Sequence, residues 1–499
     1  MAKKYYLGLD QGTTGTTALL FDRNWNQVAR GYAEVVQYYP KPGYVEHDGV
    51  QLYETLGLAT KEALLKAGAS ANEIICMGLD NQGETIILWD TTTGQPIHRA
   101  IVWQDRRTAK EVDSINEKYG DLFEERTGVK LDSYFGATKI RWILQNVPEA
   151  QSLLAQGRLL AGSLDTWFIW KMTGGKEFVT DAVTASRTCL MNIHTLRWEQ
   201  DILDILEIPV SILPEIRENV GSFGVTDSEA FLGVTIPITG SIVDQQAALF
   251  GQGCVKKGEI KTTFGTGCFM LMNTAEQRFA ADSGLLSTLA LVHQGKKSYA
   301  LDGGIYISGA AVKWLETGLK IVDSPSMADE LALSLEDNGG VYFVPAFSGL
   351  AAPYWDSYAR GMIIGLTGGT TNAHIARATM EATPYQVKDI FDILKKTTNF
   401  DVSSMRVDGG GTKGRFMMQF LADLLGIPVE VPVISETTGL GAAYLAALGM
   451  GEISSLEEMA NLWRCEKVYE PQMSEDRRET LLLKWHRAVE RARDWEMAK

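Results

Sequence analysis

The feature that most restricts the fold of this 499-residue chain is a Gly/Thr turn between two apolar runs near the N-terminus. The runs cover residues 5–9 and 18–21, and Gly12-Thr13-Thr14-Gly15 lies between them. Two such runs joined by a short Gly-containing segment predict a β-hairpin. Glycines let the backbone approach a ligand closely, and Thr hydroxyls and backbone N–H groups can face phosphate oxygens. The pattern therefore indicates either a phosphate-binding loop or an ordinary turn, because glycine motifs of this length occur in both.

One carboxylate accompanies this turn. Asp10 stands where the first predicted strand ends, and the turn itself carries no charge. Mg²⁺ prefers oxygen ligands and keeps several of its waters, so a single carboxylate beside phosphate groups suits it. Asp10 is therefore the candidate metal residue.

The same arrangement of strand, Gly/Thr turn and strand recurs at residues 259–273, around Gly265-Thr266-Gly267. The two hairpins begin halves of similar length, which predicts a duplicated domain with two phosphate-binding hairpins facing each other across a cleft. A third glycine cluster, Gly409-Gly410-Gly411, precedes a helical pattern and fits a loop under a nucleotide.

Composition restricts the partners and the compartment. The formal net charge of −15 argues against nucleic acid as a main partner. The five cysteines show no metal-binding spacing, and their odd number favours reduced thiols. The chain opens directly into a strand without a signal sequence, and no apolar run is long enough to span a bilayer. We expect a cytoplasmic protein that does not bind a membrane.

Strands and helices alternate along both halves, which indicates an α/β architecture. A chain of this length can form two or three domains with substantial cores. No flexible linker is visible, so the boundary is expected at a packed hinge near Gly251. The predicted division is residues 1–250 for an N-terminal domain with the first hairpin and residues 251–499 for a C-terminal domain with the second.

Several segments spread over nearly the whole chain carry a resemblance to a known family. They are Leu9-Asp10-Gln11-Gly12-Thr13-Thr14 and residues 100–108, 134–142, 244–252, 264–269, 352–361 and 361–381. Together they resemble the FGGY family of carbohydrate kinases, most closely its glycerol kinases. The resemblance implies a duplicated actin-like ATPase fold of the ribonuclease-H type, with a catalytic cleft between two domains that close on ATP and a polyol. It also suggests a homodimer or homotetramer.

The resemblance also implies roles for individual residues. Asp244 would be the general base that accepts the proton of the attacking hydroxyl. The residue type alone favours a different interpretation, in which Asp244 is only the N-cap of the helix that follows it. Asp10 would position Mg²⁺. The polyol would be bound by Gly83, Glu84, Trp103, Tyr134, Asp244, Gln245 and Phe269. ATP would be bound by Thr13, Thr14, Gly15, Gly265, Thr266, Gly267, Gly309, Lys313, Gly410 and Gly411.

Several positions depart from the glycerol kinase pattern. Gly83 replaces an Arg that would donate to substrate hydroxyls; this loss is expected to weaken glycerol binding and to open room for a longer polyol or a sugar. Gly411-Thr412-Lys413-Gly414 is closer to the loop of pentulose kinases, and Lys313 stands where Gln is common.

The expected activity is transfer of the γ-phosphoryl group of ATP to a terminal hydroxyl of glycerol or a related small polyol. A kinase for a tetritol, pentitol or pentulose is the first alternative. An actin-like ATPase without a sugar substrate is an alternative of another class, because such proteins share the two hairpins. A sugar-binding protein without kinase activity is a third.

Overall fold

A computed structural model describes residues 3–280 and 284–496, and its strands and helices alternate as predicted. The strands are β1 Tyr5–Gln11, β2 Gly15–Phe21, β3 Gln27–Glu34, β4 Gln37–Tyr38, β5 Glu46–His47, β6 Ile74–Asn81, β7 Ile86–Asp90, β8 Gln95–Pro96, β9 Ala100–Ile101, β10 Leu159–Ser163, β11 Val179–Asp181, β12 Met191–Asn192, β13 Arg197–Trp198, β14 Glu215–Arg217, β15 Ile238–Val243, β16 Ile260–Phe264, β17 Cys268–Ala275, β18 Leu286–His293, β19 Lys296–Ile305, β20 Tyr342–Val344, β21 Met362–Ile364, β22 Met405–Asp408, β23 Val429–Pro432 and β24 Cys465–Tyr469.

The helices complete the alternation. The α-helices are α1 Gly49–Ala67, α2 Ala109–Thr127, α3 Ala137–Asn146, α4 Ala150–Ala155, α5 Leu164–Met172, α6 Ala182–Ser186, α7 Gln200–Leu206, α8 Asp244–Gly251, α9 Gly309–Trp314, α10 Pro325–Leu333, α11 Asn372–Thr398, α12 Arg415–Leu425, α13 Thr437–Gly449, α14 Leu456–Asn461 and α15 Glu475–Ala492. Short 3₁₀ helices cover Ala71–Glu73, Val210–Ile212 and Gly410–Lys413, and the π-helical turn Leu315–Leu319 follows α9.

Backbone contacts divide the chain into two units. Unit 1 comprises Met1–Gly253, Thr288–Tyr299 and Thr437–Leu462; unit 2 comprises Cys254–Ser287, Ala300–Glu436 and Trp463–Lys499. A single division at residue 250 therefore does not describe these contacts, because helix α13 lies in unit 1 although the sequence placed it in the second half.

The main sheets of the two units share one strand order. In unit 1 the order is β15-β6-β1-β2-β3, with β1 antiparallel to β2 and parallel to β6. In unit 2 the order is β17-β16-β22-β23-β24, with β16 antiparallel to β17 and parallel to β22. Each unit thus begins with a hairpin that continues into parallel strands. Both predicted hairpins are confirmed. The repeated arrangement is the one expected of a duplicated domain.

Helix α13 belongs to unit 1 because small residues let it lie directly against the sheet. A Cβ on Gly78 of β6 would lie 1.9 Å from the carbonyl oxygen of Ala442 in α13. A Cβ on Gly8 of β1 would lie 2.0 Å from the carbonyl oxygen of Gly439. Such distances leave no room for any side chain at these strand positions, so close packing of helix and sheet requires glycine here.

The core of unit 1 is built from the sheet together with helices α1 and α5, and the core of unit 2 from its sheet with α11, α12 and α15. Asp48 is the N-cap of α1, because its carboxylate accepts the backbone N–H groups of Val50 and Gln51. No helix within the described ranges combines the length and apolar character needed to cross a membrane.

A buried carboxylate attaches the last helix to unit 2. Asp389 of α11 accepts hydrogen bonds at 2.7 Å from Trp485 Nε1 and His486 Nε2 of α15, and at 2.7 Å from the Tyr354 hydroxyl. The hydrogen bond from His486 to Asp389 raises the pKa of His486 above its ordinary value, and the charges of Asp389, Asp392 and Glu490 act in the same direction. Protonated His486 therefore stabilises the attachment of α15.

This contact predicts a pH-dependent contribution to stability. Because the pKa of His486 is higher in the folded state, its contribution is fully present below the unfolded value of about 6.5 and is lost as the pH rises through the folded value. We expect His486→Gln to lower the melting temperature more at pH 5.5 than at pH 8.5. The difference in the free energy of unfolding between the two pH values should be less than about 1 kcal/mol, because the imidazole is half exposed. Thermal unfolding at both pH values measures it.

His194→Gln is the control, because the ring of His194 contacts a backbone carbonyl oxygen rather than a carboxylate. If His486→Gln lowered the melting temperature equally at both pH values, the charge of His486 would not contribute to stability.

Candidate active site

The carboxyl ends of three parallel strands of unit 1 bring acidic side chains to one edge of the sheet. Asp10 of β1 pairs in register with Asp80 of β6. Strand β15 pairs in parallel with β6 and ends at Val243, so Asp244 follows at the same edge. The predicted metal residue and the predicted base therefore lie in one unit and at the same sheet edge.

Asp244 is the first residue of α8, and Val243 occupies the N-cap position. The carboxylate accepts the backbone N–H of Gln245 at 2.6 Å. The interpretation of Asp244 as a simple N-cap is therefore wrong, although the partial positive charge of the helix N-terminus still favours its ionised form. Asp244 and Gln245 are both partly exposed.

Asp80 is a buried acidic residue of this edge to which the sequence analysis gave no role. Its side chain is fully buried. Burial raises the pKa of Asp80 well above its ordinary value, and the negative charges of Asp10 and Asp244 raise it further. Asp80 therefore favours its neutral form, which limits the repulsion between like charges at the strand ends.

The first Gly/Thr turn is tied to the predicted polyol residues. Trp103 donates its indole N–H to the Thr13 hydroxyl at 2.9 Å. The Trp103 ring meets the Tyr134 ring edge-on, with centroids 5.9 Å apart. The hydroxyl of Tyr32 donates to the carbonyl oxygen of Thr14 at 3.1 Å. A Cβ at Gly15 would lie 2.3 Å from that hydroxyl oxygen, so a larger residue at the end of the turn would displace the exposed Tyr32 side chain.

Glu84 is held by an arginine that the sequence analysis did not single out. Arg187 Nε donates to Glu84 Oε1 at 2.6 Å, and both side chains are more than nine-tenths buried. Arg187 Nη2 lies 3.4 Å from the Tyr134 hydroxyl. No sequence motif signals this contact, because 103 positions separate Glu84 from Arg187.

Val243 stands where a side chain of residue 83 would begin. A Cβ on Gly83 would lie 2.6 Å from Val243 Cγ2 and 3.4 Å from Arg187 Cγ. A larger residue at position 83 would therefore require Val243 to shift. The wider substrate site expected from the missing Arg stays a prediction.

A buried lysine links the backbones of two predicted polyol residues. Lys139 Nζ donates to the carbonyl oxygen of Glu84 at 2.8 Å and to that of Tyr134 at 2.7 Å. Burial lowers the pKa of Lys139 to about 7, against the opposing effect of the Glu84 carboxylate. Lys139 thereby fixes the separation between the two loops that carry Glu84 and Tyr134.

In unit 2 the predicted nucleotide segments meet at the end of β16. The backbone N–H of Gly309, at the start of α9, donates to the carbonyl oxygen of Gly265 at 3.0 Å, and that of Ser308 donates to the carbonyl oxygen of Thr266 at 3.0 Å. A Cβ at Gly309 would lie 2.6 Å from the Gly265 oxygen, and one at Gly267 would lie 2.6 Å from the Ile305 oxygen. These close contacts explain why glycine occupies both positions.

The third glycine cluster lies against the same strand. A Cβ at Gly409 would lie 2.5 Å from the carbonyl oxygen of Phe264, and one at Gly411 would lie 2.7 Å from Phe264 Cβ. A Cβ at Gly410 would meet no atom within 4 Å, so its surface is open. The first two backbone N–H groups of α12 are bound by Asp329 at 3.0 and 3.1 Å. A ligand could therefore approach the 3₁₀ turn at Gly410, whereas Asp329 already occupies the N-terminus of α12.

Two further predicted residues belong to unit 2. Lys313 Nζ pairs with Glu316 Oε1 at 3.0 Å on the surface. Phe269 of β17 stands opposite Thr263 of β16, and its ring faces Gly304, where an added Cβ would lie 3.2 Å from it. A role for Phe269 at the polyol and for Lys313 at the nucleotide stays a prediction.

Among residues 3–280 and 284–496, no three His, Cys, Asp or Glu side chains are grouped so as to hold a metal ion. The partly exposed carboxylate of Asp10 beside the first Gly/Thr turn fits an ion held mainly by phosphate oxygens and water.

Comparisons with known proteins agree with this arrangement. Residues 5–251 match the N-terminal domain of the FGGY family of carbohydrate kinases, and residues 260–450 match its C-terminal domain. Glycerol kinase 2 of Thermotoga maritima is 50% identical over 494 residues, which cover 99% of each chain. Glycerol kinase of Petrotoga mobilis is 48% identical with the same coverage. The crystal structure of Plasmodium falciparum glycerol kinase with ADP is similar with a TM-score of 0.91 and 37% identity over 99% of each chain.

Proposed function

Since the chain belongs to the FGGY family of carbohydrate kinases, we propose that it transfers the γ-phosphoryl group of ATP to a terminal hydroxyl of glycerol or a related small polyol. The products with glycerol are ADP and glycerol 3-phosphate. The observation that carries the proposal is the cluster of Trp103, Tyr134 and Glu84 in the unit whose sheet edge carries Asp244. Near-full-length similarity to proteins named glycerol kinase supports the choice of substrate.

In the proposed reaction, Asp244 accepts the proton of the substrate hydroxyl while the hydroxyl oxygen attacks the γ-phosphorus. The bond between the γ-phosphorus and its bridging oxygen breaks, and ADP leaves with the electron pair. Glu84 accepts hydrogen bonds from the remaining hydroxyls, and Tyr134 contributes its phenol group. Trp103 and Phe269 cover the C–H faces of the polyol.

The nucleotide phosphates are assigned to the two Gly/Thr turns and the open face of Gly410. Backbone N–H groups of such turns bind anions because their dipoles converge on one point. A Mg²⁺ ion bound with ATP neutralises phosphate charge, and Asp10 is the residue proposed to hold it.

A longer polyol or a ketose is the second candidate substrate, and the loop Gly411-Thr412-Lys413-Gly414 was the sequence feature that favoured such a kinase. Val243 stands where a Cβ of residue 83 would lie, which gives no support to an enlarged site at that position. Glycerol is the preferred substrate, because relatives similar over nearly the full length are named glycerol kinase. The actin-like ATPase without a sugar substrate is disfavoured, because the aromatic and charged cluster around Glu84 suits a polyol.

The substrate is tested by ADP release from Mg-ATP with glycerol, dihydroxyacetone, erythritol, threitol, xylitol, ribitol and pentuloses, each at about 1 mM. We expect strong turnover with glycerol and weak turnover with the four- and five-carbon compounds. Turnover confined to a longer compound would replace glycerol as the substrate. ATP hydrolysis that no polyol changes would contradict the kinase proposal.

A further inference from the structure

We propose that Arg187 is a positioning residue of the polyol site: it holds Glu84 and Tyr134 in the geometry that binds a small polyol. The inference rests on the proposed function, because it assumes that Glu84 and Tyr134 contact the substrate. Position 83 carries no guanidinium, and the guanidinium that reaches Glu84 comes from position 187.

The side chain of Arg187 reaches both residues at once. Its Nε donates to Glu84 Oε1 at 2.6 Å, a charge-assisted hydrogen bond between side chains that are only 5–6% exposed. Its guanidinium carbon lies 5.6 Å from the ring centroid of Tyr134 and 5.3 Å from that of Phe135, within the range of cation–π attraction. One planar cation thus orients a carboxylate and a phenol that belong to different loops.

The backbone of Arg187 connects to the same loop. Its carbonyl oxygen accepts the N–H of Gly136 at 3.4 Å, and the carbonyl oxygen of Thr188 accepts the N–H of Ala137 at 2.8 Å. Helix α3 therefore starts from a segment that residues 187 and 188 hold in place. Tyr134 lies just before this start, so both the backbone and the side chain of Arg187 restrict its position.

Arg187 also packs beside Gly83. Its Cγ would lie 3.4 Å from a Cβ at that position, an ordinary van der Waals contact. Displacing this buried, paired arginine would leave the Glu84 carboxylate without its charged partner. The pair therefore resists movement, which suits a positioning role.

The inference is tested with Arg187→Lys and Arg187→Gln, measuring glycerol binding by calorimetry and the kcat and KM for glycerol and ATP. Loss of a charged hydrogen bond corresponds to about a 10- to 100-fold weaker affinity. We expect Arg187→Gln to raise the glycerol Kd and KM by that factor, with the ATP KM changed less than about twofold. Arg187→Lys keeps the charge but not the planar geometry, and should fall between Arg187→Gln and the unchanged protein.

A double-mutant cycle separates positioning from a general loss of structure. If Arg187 acts through Glu84, Arg187→Gln should weaken glycerol binding much less in a Glu84→Gln background than in the unchanged protein. Arg377→Gln is the matched control, because Arg377 Nε and Glu381 Oε1 form a similarly buried pair at 2.9 Å in unit 2. We expect that control to leave the glycerol Kd unchanged.

Unchanged glycerol affinity in both Arg187 variants would overturn the inference, as would equal effects of Arg187→Gln with and without Glu84→Gln. If Arg187→Gln does not fold, the same comparison is made with Arg187→Lys. The glycerol Kd of Arg187→Lys, with and without Glu84→Gln, then tests the inference. Failure of the proposed function is distinguishable, because the unchanged protein would then neither bind nor phosphorylate glycerol.

Discussion

An Asp244→Asn protein is expected to lose phosphoryl transfer by about 10²- to 10⁴-fold, the range for a positioned general base. The amide keeps an oxygen that can accept the Gln245 N–H now bound by the carboxylate at 2.6 Å, so the start of α8 should be preserved. The amide cannot accept the proton of the attacking hydroxyl. ATP binding should be nearly unchanged, because the nucleotide is assigned to other residues. Steady-state turnover with glycerol and calorimetry with ATP measure the two quantities.

Asp201→Asn is the matched control, since Asp201 also lies in the first turn of a helix, α7, and has no proposed role. It should keep full turnover. If Asp244→Asn retained more than a few per cent of the turnover of the unchanged protein, Asp244 would not be the base. If it also lost ATP binding, the change would have disturbed the site rather than removed a proton acceptor.

The second large effect concerns the glycine contact between β6 and α13. We expect Gly78→Ala to destabilise unit 1 by about 3 kcal/mol or more, because the added Cβ would meet the backbone oxygen of Ala442 at 1.9 Å. A backbone atom cannot turn away as a side chain can, so α13 would have to move as a whole. The corresponding fall in melting temperature is about 5 °C for a unit of this size, which calorimetry measures.

Gly57→Ala provides the comparison, because Gly57 lies inside α1 and an added Cβ there meets no atom within 4 Å. That change should stabilise the protein by about 0.5–1 kcal/mol, the usual difference between Gly and Ala in a helix. Equal melting temperatures for Gly78→Ala and the unchanged protein would contradict the close packing of α13 on the sheet.

Local patterns made several features predictable. The hairpin β1–β2 and the Asp48 cap of α1 each depend on residues within a few positions of one another. The second Gly/Thr turn was predictable for the same reason. A predicted homodimer or homotetramer depends on surfaces rather than on such patterns, and it stays a prediction.

The structure adds most where distant residues meet. Gly83 by itself suggested an open site, but Val243, 160 positions further along the chain, stands where a Cβ of residue 83 would lie. The N-cap interpretation of Asp244 failed for a local reason, because Val243 occupies the N-cap position. Backbone contacts group α13 with unit 1, since glycines in its strands let that helix lie against their backbone; the division at residue 250 stays a prediction.

The sequence by itself determined the α/β class, the two hairpins with their Gly/Thr turns, and the family, because each depends on short segments with characteristic residue types and spacing. Only the tertiary structure decided which side chains surround Glu84, how much space lies beside Gly83, and which unit holds α13. Those outcomes follow from packing between segments that are far apart along the chain, where a difference of one Cβ decides whether two backbones can meet.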